Sequence, residues 1–260
     1  TGQASPLSVL AVTFTNKAAS EMRGRIESLL GTPADALWIG TFHGLSHRML
    51  RRHWREARLP QSFQILDDDD QQRLVRRLIR EQKLDEQRWV PREVQKFINA
   101  QKDEGRRSKK MDDRGDPTRQ QLIRLYALYE ARCEQAGVVD FAELLLRSFE
   151  TLRDVPDLGE YYRERFRHLL VDEFQDTNGI QYDWLKQLTG KTGAPFVVGD
   201  DDQSIYRWRG ARVENMQHFK REFGATVYRL EQNYRSTQVI LAAANAIIAK
   251  NTDRMGKELW

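Results

Sequence analysis

Apolar residues recur along the chain with two different spacings, and the change of spacing divides it. Residues 9–14 (Val-Leu-Ala-Val-Thr-Phe) form a short β-branched run, after which Ala19, Met22, Ile26, Leu29 and Leu30 keep helical spacing as far as Gly31; this predicts a strand, a turn and a helix. Leu37-Trp38-Ile39 predicts a second strand, giving way at Gly40-Thr41-Phe42-His43-Gly44 to a helix that carries Leu45, Met49 and several basic residues. From about residue 67 to 167 the periodicity is helical throughout and predicts no strand. Asp67-Asp68-Asp69-Asp70 opens one of these helices, where the macrodipole favours acids, so it reads as a solvated helix entry rather than a metal site. Asp116-Pro117 opens another, followed by the stripe Leu122, Leu125, Tyr126, Tyr129, Cys133 and stopped by Gly137; Asp140 with Glu143 resembles a capping box for a helix over 141–152. Strand character returns at residues 168–171, 196–198 and 227–230, and residues 239–248 are helical again. Strands alternating with helices predict an α/β class with a parallel sheet, interrupted by an all-helical insertion. The basic, glycine-containing stretch 105–110 is the predicted mobile loop.

Within that pattern, Leu169-Leu170-Val171-Asp172-Glu173 is a buried strand that delivers two carboxylates at its carboxyl end, where open α/β sheets bind ligands. The alternative is a strand followed by an Asp that caps a helix. Composition narrows the class. Hydrophobic residues make up 40% of 260, enough for one large core or two smaller ones, and no apolar run approaches a membrane span. The start, Thr1-Gly2-Gln3-Ala4, has neither an initiating Met nor a signal-peptide pattern, so a fragment is expected. Cys133 is the only cysteine, which excludes an internal disulfide and fits a reducing compartment. The net charge of +4 with many arginines is weak support for a phosphate-bearing partner.

Five strings carry a more specific signal: Ala11-Val12-Thr13-Phe14-Thr15-Asn16-Lys17-Ala18-Ala19; Gly40-Thr41-Phe42-His43-Gly44; Val171-Asp172-Glu173-Phe174-Gln175-Asp176; Val198-Gly199-Asp200-Asp201-Asp202-Gln203-Ser204-Ile205-Tyr206-Arg207-Trp208-Arg209-Gly210-Ala211; and Glu231-Gln232-Asn233-Tyr234-Arg235-Ser236-Thr237. In this order they resemble motifs Ia, Ib, II, III and IV of superfamily 1 DNA helicases of the UvrD, PcrA and Rep type. The resemblance implies a RecA-like motor domain over 1–44 and 163–230, a helical insertion domain over 45–162, and the start of a second motor domain at 231–260. It implies ATP and Mg²⁺ as cofactors, with Asp172 holding the metal, Glu173 activating the attacking water, Gln203 sensing the γ-phosphate, Arg235 supplying a cation to the transferring phosphoryl group and Tyr234 stacking on adenine. It also implies DNA contacts: Phe14, Tyr206 and Trp208 stacking or wedging bases, and Thr41, His43 and Arg209 contacting the backbone or coupling to it.

The function implied by the resemblance is an ATP-dependent 3′-to-5′ helicase acting on single-stranded DNA and single-strand/duplex junctions, serving repair or replication in the cytoplasm, with repair or replication proteins as partners and no membrane. The chain holds no G-x-x-x-x-G-K-[ST] loop. Gly190-Lys191-Thr192 has Leu at position 185 and precedes a strand, so the family's loop is expected upstream of Thr1, and this chain alone is expected to be inactive. Several alternatives are open: a helicase-like DNA-binding or scaffolding module without hydrolysis; a metal nuclease built on Asp200, Asp201, Asp202 and Glu173; an ion pair of Arg235 with Glu231; Phe14 and Trp208 as core aromatics. His43 and His47 have the spacing of zinc ligands, but without a third ligand no metal is assigned there. Arg207, where related sequences commonly carry Gly, is open between a DNA phosphate contact and a surface ion pair.

Overall fold

Each strand of the sheet is a short apolar run whose alternate side chains go to opposite faces. The computed structural model describes residues 4–190, 193–251, 256–257 and 259–260. Strand β1 (Val9–Thr13) leads to helix α1 (Asn16–Leu30), which Thr15 caps by accepting the Ala18 N–H at 3.1 Å and Gly31 ends in the left-handed conformation. β2 (Trp38–Thr41) leads to α2 (Phe42–Arg52). Then come β3 (Gln64–Ile65), α3 (Asp68–Glu81), α4 (Pro91–Asp103), α5 (Pro117–Ala136), β4 (Val138–Val139), α6 (Phe141–Asp154) and α7 (Pro156–Arg165). The sheet resumes with β5 (His168–Val171), α8 (Gly179–Thr189), β6 (Ala194–Val197) and α9 (Glu214–Phe223), and α10 (Gln238–Ile248) follows.

The main sheet is wholly parallel, in the order β2-β1-β5-β6. Its register aligns Val12 with Gly40 on one side and Val171 on the other, and Val171 with Val197. Leu10, Val12, Leu169 and Val171 face a core shared with α2, α6, α7 and α8, in which Trp38, Phe42, Tyr162, Phe166 and Trp184 are buried. Fully burying an apolar side chain of this size contributes about 1.5–3 kcal/mol, so this face dominates the stability of the sheet. On the opposite face Ala11 and Ile39 pack under α1, while Leu170, Phe196 and Val198 stay exposed around an open apolar groove. Arg23 and Arg48 donate to the carbonyls of Ile39 and Leu37 at 3.0 and 2.6 Å, which covers part of the backbone of edge strand β2.

Between β2 and β5 the chain is helical except for β3 and β4, a parallel pair of two residues each that helical periodicity could not signal. The helices α3, α4 and α5 enclose a separate core of Val75, Ile79, Ile98, Tyr126, Tyr129 and Cys133. The predicted cap at Asp116 accepts the Thr118 N–H at 2.8 Å, and at the acidic helix entry Asp67 caps α3 by accepting the Asp70 N–H at 2.7 Å. Asp140 accepts from the Glu143 N–H at 2.7 Å, but Glu143 does not close the box. Its carboxylate turns instead to Lys102 (3.0 Å), Arg107 (2.8 Å) and Arg147 (2.8 Å).

Two further expectations fail. Residues 105–110 are anchored, because Arg107 pairs with Glu130, Glu143 and Glu150 at 3.1, 2.8 and 2.5 Å and Ser108 is buried against Glu130. Val227-Tyr228-Arg229-Leu230 forms no strand: it makes no ladder bonds, and Tyr228 and Leu230 are largely exposed, so its apolar pattern finds no sheet neighbour among the described residues. Gly190 ends α8 with a positive φ, as the far end of a helix rather than the start of one, and Lys191 and Thr192 lie outside the described residues.

Candidate active site at the carboxyl edge of the sheet

Because all four strands are parallel and in register, the residues that follow them emerge along one edge. β2 ends at Thr41, β1 is followed by Phe14, β5 by Asp172 and Glu173, and β6 by Val198 and Gly199. The chain runs from β1 to β2 in one direction and from β5 to β6 in the other, so the sheet reverses its winding between β1 and β5. Open parallel sheets bind ligands in the crevice at such a reversal. Asp172 stands there, its N–H donating to the Val12 carbonyl at 2.9 Å.

Glu173 has φ 52° and ψ 44°, left-handed values that a β-carbon makes costly for any residue but Gly. That conformation turns the chain sharply out of β5 into the turn Phe174–Asp176, whose Phe174 is buried in the core. Phe174 N–H donates to the Val198 carbonyl at 2.9 Å, so the turn after β5 is stitched to the end of β6. Gln175, 1% exposed, joins the two loops through its side chain. Its Nε2 donates to Glu173 Oε2 at 2.7 Å, and its Oε1 accepts from the Asp200 N–H at 2.9 Å. The backbones approach closely because position 199 is Gly: a β-carbon there would lie 2.8 Å from Gln175 Oε1 and 3.2 Å from its backbone nitrogen.

Asp200 also accepts from Gln203 Nε2 at 2.6 Å and pairs with the Lys257 ammonium. Burial alone would raise its carboxyl pKa, but Lys257 and Gln203 outweigh it and hold the group below the ordinary value. Asp200, Asp201 and Asp202 can converge their carboxylates on a point, yet the ammonium of Lys257 lies against Asp200 and 4.0 Å from Asp202, a poor arrangement for a metal nuclease. Near β1 and β5 the buried Thr13 Oγ1 and Asp176 Oδ1 find no hydrogen-bond partner among the described residues. Burial, then the Glu173 charge, pushes the Asp176 carboxyl upward. Hard oxygen donors with unfilled valence are the kind a small divalent cation takes, and the Asp172 carboxylate follows β5 on the same edge.

The segment after Gln203 folds back over the β5 turn. Arg212 N–H donates to the Thr177 carbonyl at 2.8 Å, and the buried Asn215 side chain donates to Thr177 O, Thr177 Oγ1 and Asn178 O at 3.1, 3.0 and 3.3 Å. Trp208 is 76% exposed, which removes it from the core, and the Arg209 guanidinium lies 5.3 and 5.0 Å from the Tyr206 and Trp208 rings. These three form a cation-backed aromatic surface. Arg207 instead donates to Glu214 at 3.2 Å. Phe14 is partly buried edge-on against Phe42, with 6.0 Å between the ring centroids, so it presents only part of its ring to solvent. Thr41 caps α2 by accepting the Gly44 N–H at 3.2 Å. His43 packs edge-on to Phe141, and burial pushes its pKa down, favouring the neutral imidazole. His47 accepts from Arg51 Nε at 2.9 Å, which commits a ring nitrogen that zinc would need.

Tyr234 and Arg235 sit elsewhere, in the turn before α10. The Tyr234 ring is 87% exposed and its hydroxyl donates to Gln232 at 2.6 Å, while Arg235 N–H donates to Asn233 Oδ1 at 2.9 Å. Among the described residues no hydrogen bond or ion pair joins either to the acid edge. Gln175, Gly199, Thr177 and Asn215 were missed by pattern reasoning. Gln175 lies inside the quoted Asp-Glu-Phe-Gln-Asp string, but nothing in an apolar/polar pattern distinguishes a buried amide from a surface one.

A model of the UvrD/REP helicase N-terminal domain matches residues 1–224. DNA helicase II of Salmonella typhimurium and of Escherichia coli are each 57% identical over 257 residues, covering 98% of this chain and 36% of the relative. The ATP-dependent DNA helicase PcrA of Bacillus subtilis is 40% identical over 257 residues, 98% of this chain and 35% of the relative. The chain thus spans about a third of the length of the curated relatives it matches.

Proposed function

The chain belongs to the UvrD/REP helicase family, and on that premise we propose that it forms the RecA-like first motor domain, with its helical insertion and the start of the second motor domain, of an ATP-dependent DNA helicase. The observation that carries this reading is the shared carboxyl edge, where Phe14 after β1 and Asp172 and Glu173 after β5 flank the winding reversal, with Thr41 at the end of β2 and the Asp200–Gln203 loop after β6 to either side. The longer protein hydrolyses ATP to move 3′ to 5′ along single-stranded DNA and open duplex junctions, in repair or replication within the cytoplasm. No helix among the described residues is long and apolar enough to cross a membrane.

In this reading Asp172 would hold Mg²⁺, which when bound would supply positive charge to the phosphates. Glu173 accepts a proton from the attacking water, its strained backbone fixing the carboxylate outside the strand. Gln203 contacts the γ-phosphate from the loop after β6. Arg235 supplies a positive charge to the transferring phosphoryl group, and Tyr234, already exposed, stacks on adenine. Trp208, Tyr206 and the free edge of Phe14 stack on bases without sequence preference, at about 1–3 kcal/mol each. Arg209, Thr41 and His43 serve the backbone or couple it to the nucleotide side. The division 1–44 with 163–230, 45–162 and 231–260 assigns these parts, although α2, α6 and α7 share the sheet's core.

The test is Glu173→Gln in the full-length protein. Turnover falls by about 10³-fold or more while ATP and DNA binding stay near wild type, because the amide keeps the shape and loses the basicity. Near wild-type hydrolysis by the variant removes Glu173 from the chemistry; absence of DNA-stimulated hydrolysis in the unmodified full-length protein favours a scaffolding module instead.

A further inference from the structure

The two loops that the proposed hydrolysis depends on meet through a single buried side chain. Gln175 is almost completely enclosed, yet an apolar residue of similar volume would fill the space without the cost of desolvating an amide. Both ends of the amide are used. The Asp200 group facing it is a backbone N–H, which must meet an acceptor, so Oε1 is fixed on that side and the amide nitrogen, a donor, is directed at Glu173. From Asp200 the path continues through its carboxylate to Gln203 Nε2 at 2.6 Å. Glu173, Gln175, Asp200 and Gln203 are therefore one hydrogen-bonded chain across the gap between β5 and β6.

The path leaves one oxygen of Glu173 for other work. Gln175 occupies Oε2 at 2.7 Å, and among the described residues Oε1 takes no hydrogen bond. Gly199 preserves the arrangement from the other side, since any β-carbon there would collide with Gln175 Oε1. We propose that Gln175 is a positioning residue for the hydrolytic step: its carboxamide clamps the Glu173 carboxylate to the loop carrying Gln203, so that the water-activating acid and the phosphate-contacting amide move as one unit. The proposal rests on the reading of Glu173 and Gln203 given above. It adds the mechanical link between them, through which a displacement of the Gln203 loop reaches the acid without any contact between the two residues.

The experiment uses the full-length protein with Gln175→Met, which keeps the length and removes both hydrogen bonds, and Gln175→Glu, which keeps an acceptor for the Asp200 N–H and loses the donor to Glu173. Steady-state ATP hydrolysis with saturating single-stranded DNA is measured together with nucleotide binding and thermal unfolding. Both variants lower kcat by about 10- to 100-fold, the range typical of lost supporting hydrogen bonds at a reactive group, with KM for ATP and nucleotide binding near wild type. If Gln175→Met does not fold, Gln175→Glu carries the test. Combined with Gln203→Ala, either loses little more than the worse single variant, because the residues act as a unit. A kcat within about twofold of wild type, a loss fully additive with Gln203→Ala, or a loss that merely follows weakened nucleotide binding and a lower Tm overturns the proposal. The parallel Glu173→Gln control separates the two levels: if that variant still turns over, the underlying reading fails; if it is dead while Gln175→Met is not impaired, only the clamp fails.

Discussion

The molecule holds two dense assemblies of charge, and they are built on opposite terms. In the helical region Lys102, itself buried, meets Asp140 at 2.6 Å and Glu143 at 3.0 Å, while Tyr129 donates to Asp140 at 2.8 Å and Arg107 reaches Glu143 and two further carboxylates, Glu130 and Glu150. Burial opposes the charges of Lys102, Arg107 and Glu143. Asp140 and Glu143 nevertheless raise the Lys102 pKa, and Lys102, Arg107 and Arg147 hold the Glu143 carboxyl well below its ordinary value. At the sheet edge Asp172, Glu173, Asp176 and Asp200 crowd acids together with few cations among the described residues; there Thr13 Oγ1 and Asp176 Oδ1 are orphaned, and Glu173 is held in a costly backbone conformation. Strongly perturbed titration is a common pointer to function, and here it points mainly to the structural assembly. The candidate site is marked instead by what is left unsatisfied. A knot whose charges are all matched has nothing to offer a ligand.

The contrast can be broken most directly in the knot. Lys102→Met should destabilise the fold by about 3–5 kcal/mol, because it strands Asp140 and Glu143 in the interior, whereas Asp172→Asn at the edge should leave urea unfolding nearly unchanged. Comparable unfolding midpoints for the two would erase the distinction between a matched and an unmatched assembly. A smaller effect sharpens it at the seam. Asp103, at the end of α4 beside the start of α8, has its carboxyl pushed up to about 6 by burial and then by Asp140. Its protonated form is the one the folded state favours, so this contribution is complete below the unfolded value near 3.8 and is lost as pH rises through about 6. Asp103→Asn should therefore raise Tm by about 2–4 °C at pH 8, a gain that disappears near pH 4; equal gains at both pH values would show that the charge is not the cause. The smallest effect belongs to Arg207, paired with Glu214 on an exposed surface. Arg207→Gly should change single-strand affinity by under about 1 kcal/mol and leave the salt dependence of binding unaltered; a shallower log–log slope would mean that the arginine leaves Glu214 for a phosphate.

Much of this was legible from spacing alone. The strand at residues 9–14, the helix ended by Gly31, the caps at Asp67, Asp116 and Asp140 and the acids after Val171 all depend on local chemistry, which a sequence displays. What was not legible depends on residues distant in the chain. The stretch 105–110 looked mobile because Gly105 and four basic residues usually face water; Glu130, Glu143 and Glu150, which hold Arg107, lie on other helices. Val227-Tyr228-Arg229-Leu230 had the composition of a strand, but a strand also needs a neighbour, and composition does not supply one. Gln175 illustrates the limit most clearly, since its two partners come from an unusual φ at Glu173 and from a loop 25 residues away.

The strand order has a further consequence, in time rather than in space. β1 lies between β2 and β5, yet more than a hundred residues separate β2 (Trp38–Thr41) from β5 (His168–Val171). At ribosomal rates of about 5–20 residues per second, β1 waits roughly 5–25 s for its second partner. During that interval β2 and the first helices are the described elements that can shelter Leu10 and Val12. The core of α3, α4 and α5, by contrast, is drawn entirely from the chain made in between, and can close before the sheet does. A nascent chain that pauses while this segment emerges would carry a finished helical unit beside an unfinished sheet, and its exposed strands are where a holding chaperone would bind.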